Sequence, residues 1–462
     1  MDIWIRVGGD DKDDIGELII EGNNISFRLK DCSFDIGSTF INKKDSWNRY
    51  IVKTDGIKSS DGTGYFLDVL SAFKYDGNFN EFEQEVNSVK SVSFEFSELA
   101  NWLRIQSVDY GWAEKGELVA CEVKKDPIFL KDGSPSIAIQ YETESPYARD
   151  NSKTEFLLKN SPKVVINYTD NVPYTTAFND IFKLMRFFGL VIGRVSNVDN
   201  IILTTTTNKR IRAFINSDFS HNVKERFYGH KYRIAYDDIK EKLQYYVEGW
   251  YNRIADERYN FIFSAFFSCK TRRLTVLEDF FLTYCRFLEG YDQIRNGEIE
   301  VSKEIEGKIC TKLKEDKAVI ALFKSILKEF SSSKLDNAKV AQYISRAFME
   351  RKGLQDRIEK LDKDFFNLIA NNSGRNRLEI FDYKTLVGKI VKTRNYYSHF
   401  NSKVEEKLNF SQMVDVIEVF EAMVVSILLY EIGMDKEFIR KHLRKDDKYH
   451  FIFQPKAEEI ED

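Results

Sequence analysis

Arg394, Asn395 and His399 are the residues of this chain whose types and spacing are best suited to do chemistry together. They lie in the run Lys389-Ile390-Val391-Lys392-Thr393-Arg394-Asn395-Tyr396-Tyr397-Ser398-His399-Phe400, at the end of an apolar helical pattern. RNA can be cut without a metal if its own 2′-hydroxyl attacks the neighbouring phosphate. That step needs a base for the 2′-proton, an acid for the leaving 5′-oxygen, and positive charge on the transition-state phosphate. His399 fits base or acid, because an unperturbed imidazole titrates near neutrality. Arg394 stays charged and presents a planar fork matched to phosphate oxygens. Asn395 can orient the histidine or the phosphate by hydrogen bonding. Lys389 and Lys392 add basic character that can guide RNA, and Tyr396 and Tyr397 offer rings on which a base can stack.

Spacing makes a geometric demand. Five residues along an unbroken α-helix place two side chains roughly 140° apart, too far round to meet on one phosphate. The helix is therefore expected to end or loosen between Tyr397 and His399. One histidine also cannot serve as acid and base at once, so a two-fold dimer bringing two copies of the motif into one groove is expected. Arg444 and His450 have a similar spacing, with five residues between them against the four between Arg394 and His399. Lys445 rather than a hydrogen-bonding amide follows Arg444, and the pair lies in a charged tail that reads as a solvated helix end. Glu289, beside apolar neighbours, is a candidate partner for Arg394, although a solvent-facing glutamate is the commoner case. Two roles without chemistry stand beside these. An arginine and a histidine near a helix end often satisfy only its carbonyls and dipole, and tyrosines in so aromatic a chain often serve packing.

The motif needs a helical frame, and the second half of the chain supplies it. From about Tyr236 the pattern is helical, with the stripe Ile239, Leu243, Tyr246, Val247, Trp250 and Ile254 and another over Leu274, Leu277, Phe281, Tyr284, Leu288 and Tyr291. Further stripes run over Val319–Phe330, Tyr343–Phe348 and Leu354–Phe365. Asn371-Asn372-Ser373-Gly374 reads as a loop. The motif helix is expected to start near Tyr383, and a long helix to run from about Ser411 towards a C-cap at Gly433.

The first half reads as short strands. Gly16–Ile20 and Ile25–Leu29 flank the turn signal Glu21-Gly22-Asn23-Asn24, a hairpin. Strands follow at Tyr65–Leu70, Val92–Phe96, Leu118–Val123, Ile137–Tyr141, Phe156–Leu158, Val164–Tyr168 and Ile201–Thr205. Ser97 is placed to cap a short helix over Phe96–Leu103, and Pro173 to start a longer one. The predicted fold class is α+β: a β-rich domain over 1–235, an antiparallel sandwich or curved sheet, then a helical bundle over 236–462.

Composition bounds the function. The 462 residues exceed one ordinary domain, and 43% hydrophobic residues can fill real cores. With 69 basic and 73 acidic residues the net charge is −4, so any nucleic-acid contact must be a local basic groove. This balance counts mildly against a ribonuclease and more strongly against a passive nucleic-acid coat protein. No apolar run reaches membrane-spanning length, the most apolar helix being interrupted by Asp415, Glu418 and Glu421. The start Met1-Asp2-Ile3-Trp4 lacks a signal-peptide profile. Five scattered cysteines without a CxxC pair argue against disulfides or zinc, so a cytoplasmic setting is expected. His221 and His230 lack partners at metal-ligand spacing, and Gly8-Gly9 and Gly62-Thr63-Gly64 lack the context of a phosphate loop. No metal or cofactor is expected.

Arg394 through His399, with Gly16-Glu17-Leu18, Phe96–Leu103, the pair Trp250-Tyr251 and Phe287-Leu288-Glu289-Gly290-Tyr291, resemble the ApeA-like HEPN proteins of bacterial anti-phage defence. The resemblance implies a β-rich sensor or restraint followed by a HEPN ribonuclease domain with a core over about 270–435. It also implies a homodimer and a metal-independent cut leaving 2′,3′-cyclic phosphate and 5′-hydroxyl ends. By the same resemblance the substrate is tRNA, cut in or near the anticodon loop in abortive infection, under a phage-derived trigger. Two alternatives stay open: a HEPN-like module that dimerises and binds without cutting, and the toxin of a toxin–antitoxin pair.

Overall fold

Alternation of apolar and polar side chains builds the first part of the chain, and helical stripes build the second. The architecture comes from a computed structural model. It describes residues 2–9, 12–21, 24–29, 39–41, 49–60, 65–75, 79–104, 108–112, 118–122, 126–144, 159–194, 198–215, 232–271, 276–296, 304, 308, 311–312, 315–330, 340, 353–379, 381–399 and 406–454. The expected strand Phe156–Leu158, Leu274, the stripe Tyr343–Phe348, Gly62–Gly64, His221, His230 and Phe400 lie outside the described residues. Packing divides the chain into two compact units, Met1–Tyr251 with Ile432–Met434, and Asn252–Glu431 with Asp435–Asp462.

In the first unit the strands are β1 (Asp2–Gly9), β2 (Lys12–Glu21), β3 (Asn24–Leu29), β4 (Thr39–Ile41), β5 (Arg49–Ser60), β6 (Tyr65–Tyr75), β7 (Val89–Phe96), β8 (Val108–Trp112), β9 (Leu118–Glu122), β10 (Ile128–Lys131), β11 (Ser136–Glu144), β12 (Lys159–Val172), β13 (Val198–Thr205) and β14 (Arg210–Ile215). Twelve of them form one continuous antiparallel sheet in the order β1-β2-β3-β6-β14-β13-β7-β12-β11-β10, with β5 on β6 and β4 on β5. Strands β8 and β9 pair separately. The expected hairpin is present, with Ile20 opposite Ile25 and Glu21 opposite Asn24. Strand β6 is the branch point: β5 runs along one of its edges while β3 and β14 share the other.

Strand β7 shows why this sheet has one dry face. Val92, Phe94 and Phe96 are buried while Ser91, Ser93 and Glu95 are not, the period of two that a half-covered strand requires. Besides two short helices, α1 (Phe79–Val86) and α2 (Leu99–Trp102), the cover comes from α3 (Tyr174–Ile192), which follows Pro173 directly. Its Phe178 stacks on Phe73 at 6.1 Å and its Phe188 meets Phe96 at 4.9 Å and Trp102 at 5.8 Å. Ser97 does not cap α2 as expected. Glu98 holds the N-cap position without a side-chain bond, and the Ser97 hydroxyl is spent on the Glu98 carboxylate at 2.6 Å.

Helices continue with α4 (Tyr236–Ile239), α5 (Leu243–Ala255), α6 (Glu257–Thr271), α7 (Leu277–Asn296), α8 (Lys317–Phe330), α9 (Leu354–Asp364), α10 (Leu368–Asn372), α11 (Tyr383–His399), α12 (Phe410–Glu431) and α13 (Lys436–Leu443). Within the second unit α7 is the hub, packed against α6, α9, α11 and α12. Phe281, Tyr284, Cys285, Phe287, Leu288 and Tyr291 of α7 are all buried, as a helix with neighbours on several sides demands. Helix α12 is apolar almost all round, and its few carboxylates are used as staples. Glu421 accepts from Tyr284 at 3.2 Å and Tyr449 at 2.6 Å, and Glu431 accepts from Tyr291 at 2.6 Å. No helix among the described residues is long and apolar enough to cross a membrane.

The expected loop Asn371–Gly374 begins two residues late, because α10 runs to Asn372 and only Ser373 and Gly374, at φ 79°, turn the chain. The reason is Asp362, whose carboxylate accepts the backbone N–H groups of Ile369 at 2.7 Å and Ala370 at 3.1 Å. It satisfies donors at the start of α10 that this short helix could not pair itself. Burial, only partly offset by those bonds, pushes the Asp362 carboxyl up to about 6. The native state thus holds a proton there that the unfolded chain, titrating near 4, has lost. This contribution to stability is complete below about pH 4 and disappears as pH rises through 6. Urea unfolding midpoints of Asp362→Asn, subtracted from those of the parent between pH 4 and 7, should change in that sense. A flat difference would contradict it.

Candidate active site on the helix 383–399

Helix α11 starts where Asp382 accepts from the Thr385 backbone N–H at 3.0 Å and from its hydroxyl at 2.7 Å, a side-chain cap on otherwise unpaired donors. Leu386, Val387, Ile390 and Thr393 form its buried stripe, against α7 and α9. Thr393 is fully buried. Its hydroxyl donates back to the Lys389 carbonyl at 2.7 Å and accepts the Leu408 N–H at 2.9 Å, pinning the returning chain.

Arg394 comes next on the rim of that stripe, which makes it half-buried. Its guanidinium donates to Glu289 Oε2 at 3.0 Å and to Asn395 Oδ1 at 3.1 Å. Arg394 and Glu289 retain 24% and 27% side-chain exposure, so the pair is shielded yet open on one side. Cys285 lies one helical turn before Glu289 on α7 and is wholly buried. Burial pushes its thiol far up, although the Arg394 charge pulls the other way, so Cys285 is packing and not a nucleophile. The Glu289 pairing is the rarer of the two outcomes open to that residue. Asn395 is found holding the arginine, in a role other than those expected of it.

The helix does not give way before His399. It runs unbroken from Tyr383 through His399, which is its exposed last residue. Between Gly388 and His399 there is no glycine or proline, and the final turn is gripped from both sides. The Tyr397 phenol bonds Glu278 of α7, and burial together with that carboxylate raises its pKa. The Lys407 ammonium sits 3.4 Å from the Tyr396 ring centre. Arg394 and His399 therefore stand about 140° apart on a regular helix, and one chain does not bring them to a common phosphate.

Lys389 and Lys392 both reach Glu406. Lys392 pairs with its carboxylate at 2.6 Å and Lys389 with its carbonyl at 3.4 Å. Tyr396 and Tyr397 pack edge to face at 4.9 Å. Neither Glu406 nor Lys407 stands out in the sequence, since charged residues are ordinary in a loop. The other Arg–His pair is spent on tail structure: Arg444 donates to the Phe453 carbonyl at 3.2 Å, and the His450 ring contacts the Asp447 carbonyl at 3.0 Å. Among the described residues no three His, Cys, Asp or Glu side chains are grouped to hold a metal ion.

Family comparison adds the context that geometry lacks. The family model described as Apea-like HEPN matches residues 282–438, and that described as ApeA N-terminal domain 1 matches 26–250. This chain is an ApeA-like HEPN protein. The HEPN match covers the whole of α11 and α12 and most of α7, so Glu289, Arg394, Asn395 and His399 all lie inside it. HEPN domains form a ribonuclease superfamily whose members commonly dimerise and bind RNA, and the ApeA-like family suggests a HEPN effector of anti-phage defence. No curated protein and no solved structure matches the chain.

Proposed function

We propose that this ApeA-like HEPN protein is a metal-independent endoribonuclease whose site is completed by two copies of the chain. The observation that carries this reading is the held but open Arg394 fork within the HEPN match, with His399 exposed at the end of the same helix. Glu289 and Asn395 use two of the guanidinium donors and leave others for phosphate oxygens. Because α11 continues through His399, the base or acid for an Arg394-bound phosphate comes from the second copy. A two-fold arrangement supplies two histidines and two arginines to one groove. At each Arg394-bound phosphate the His399 imidazole of the other copy takes the 2′-proton, Arg394 neutralises the pentavalent phosphate, and the departing 5′-oxygen takes its proton from water.

The substrate of this reading is RNA, and within the family context tRNA cut in or near the anticodon loop to stop translation. The β-rich unit is then the sensor or restraint, answering a phage-derived trigger. Lys389, Lys392, Tyr396 and Tyr397 line the RNA path. One observation favours a second reading, a HEPN module that binds without cutting: a single chain separates Arg394 and His399 on its straight helix.

End-mapping of RNA from cells expressing the chain, with and without phage infection, tests the proposal. New 2′,3′-cyclic phosphate and 5′-hydroxyl ends, clustered in tRNA loops, are expected. An RNA population identical to that of uninduced cells in both conditions leaves the binding module.

A further inference from the structure

The residues on α11 best suited to meet RNA outside the Arg394 fork share a single occupant. Lys392 Nζ pairs with the Glu406 carboxylate at 2.6 Å, and Lys389 Nζ lies 3.4 Å from the Glu406 carbonyl oxygen. Lys407 covers the face of Tyr396 at 3.4 Å and reaches Tyr397 at 5.7 Å. Leu408, the next residue, is tied by its N–H to the buried Thr393 hydroxyl. Two consecutive residues thus take a carboxylate to Lys392, a backbone carbonyl to Lys389 and a cation to an aromatic face. A nucleotide would bring a phosphate to the same lysines and a base to the same ring.

We propose that Glu406 and Lys407 form an intrachain strap that stands in for one nucleotide of RNA, the Glu406 carboxylate occupying the phosphate position and Lys407 the base-stacking position. The inference rests on the RNA-binding reading of α11 and adds its regulation: RNA binds here by displacing the strap. Three features fit a displaceable occupant. The Lys392–Glu406 pair is exposed, at 51% and 68% of the two side chains, and exposed pairs are weak and salt-screened. The Glu406 backbone sits in the left-handed region at φ 40°, a conformation a side chain adopts at a cost and one that clusters at switch sites. The Lys392 ammonium also holds the Glu406 carboxyl below its usual value, which favours the charged form that stands in for a phosphate.

Binding of a fluorescent 2′-O-methyl RNA stem-loop to the full chain tests this, because that probe cannot be cut and the readout does not need catalysis. Glu406→Gln keeps size and removes the competing charge. It should tighten binding several-fold and steepen the salt dependence, as the freed Lys392 engages phosphate. Glu304→Gln, which frees Lys308 from another exposed pair, controls for the change in net charge and should tighten binding less. The double variant Lys389→Ala/Lys392→Ala should weaken binding and cancel the effect of Glu406→Gln. If Glu406→Gln matches the parent or the Glu304→Gln control while the lysine double variant still binds weakly, the strap idea is overturned and the RNA face stands. If the lysine double variant, Tyr396→Ala and Arg394→Ala all bind as the parent does, the RNA reading of this helix falls with it.

Discussion

Replacing His399 with alanine is expected to lower RNA cleavage by about 10²- to 10⁴-fold, the usual worth of a positioned acid or base, while the unfolding midpoint stays where it was. The two halves of that expectation have separate causes. His399 is exposed at the end of α11, so its loss removes no buried contact. Arg394→Ala should be as severe for cleavage, but it also breaks a half-buried ion pair and costs on the order of 1 kcal/mol of stability. His399→Ala is therefore the cleaner variant. Glu289→Ala frees the fork but keeps its charge, and should cost less cleavage than Arg394→Ala.

The straight helix makes a sharper form of this experiment possible. If each site takes Arg394 from one copy and His399 from the other, a mixed dimer of Arg394→Ala and His399→Ala chains holds one intact pair. Co-expression of the two inactive variants should then restore part of the cleavage that neither shows alone. Continued silence in a purified mixed dimer would refute the shared site. Full cleavage by both single variants would remove Arg394 and His399 from the catalytic site.

The largest stability effect is expected from Arg357→Ala. Asp292, at the buried face of α7, is completely inaccessible, and Arg357 of α9 answers it at 3.0 Å with 7% exposure. Lys360 stands farther off, at 3.7 Å. Removing the arginine leaves a carboxylate in the bundle with an incomplete partner, which costs about 3–5 kcal/mol. At roughly 2–4 °C per kcal/mol for a unit of this size, thermal unfolding of the helical unit should shift by about 6–20 °C. Replacing both residues with apolar ones of similar volume should cost much less, because the burden lies in the orphaned charge and not in the lost attraction. A shift under about 2 °C for the single variant would show that Lys360 or water fully compensates.

Much of the site was legible in the sequence because its signals are local. The stripe Leu386, Val387 and Ile390 dictates a helix that buries one side, and a start near Tyr383 follows from it. The choice of Arg394 and His399 over Arg444 and His450 rested on Asn395 and on the long helix that follows. Alternation in Val92–Phe96 and the turn between β2 and β3 likewise specify strands from neighbouring residues alone. Strand order did not follow, because the partners of β7, β13 and β12, are far away in the chain.

The sequence by itself thus determined the helical frame, the α+β order and the residue types a phosphate would meet. Only the tertiary structure decided how those residues are engaged. A chain listing cannot tell whether a helix frays before its last residue, since that depends on what grips the final turn. Here Glu278 and Lys407 hold it, and α11 reaches His399 intact. Nor could spacing show that Glu289, over a hundred positions away, faces Arg394, or that Glu406 takes up both lysines. Charge pairing acts through space and has no period in the sequence; the unbroken α11 is why the site we propose draws Arg394 and His399 from two copies of the chain.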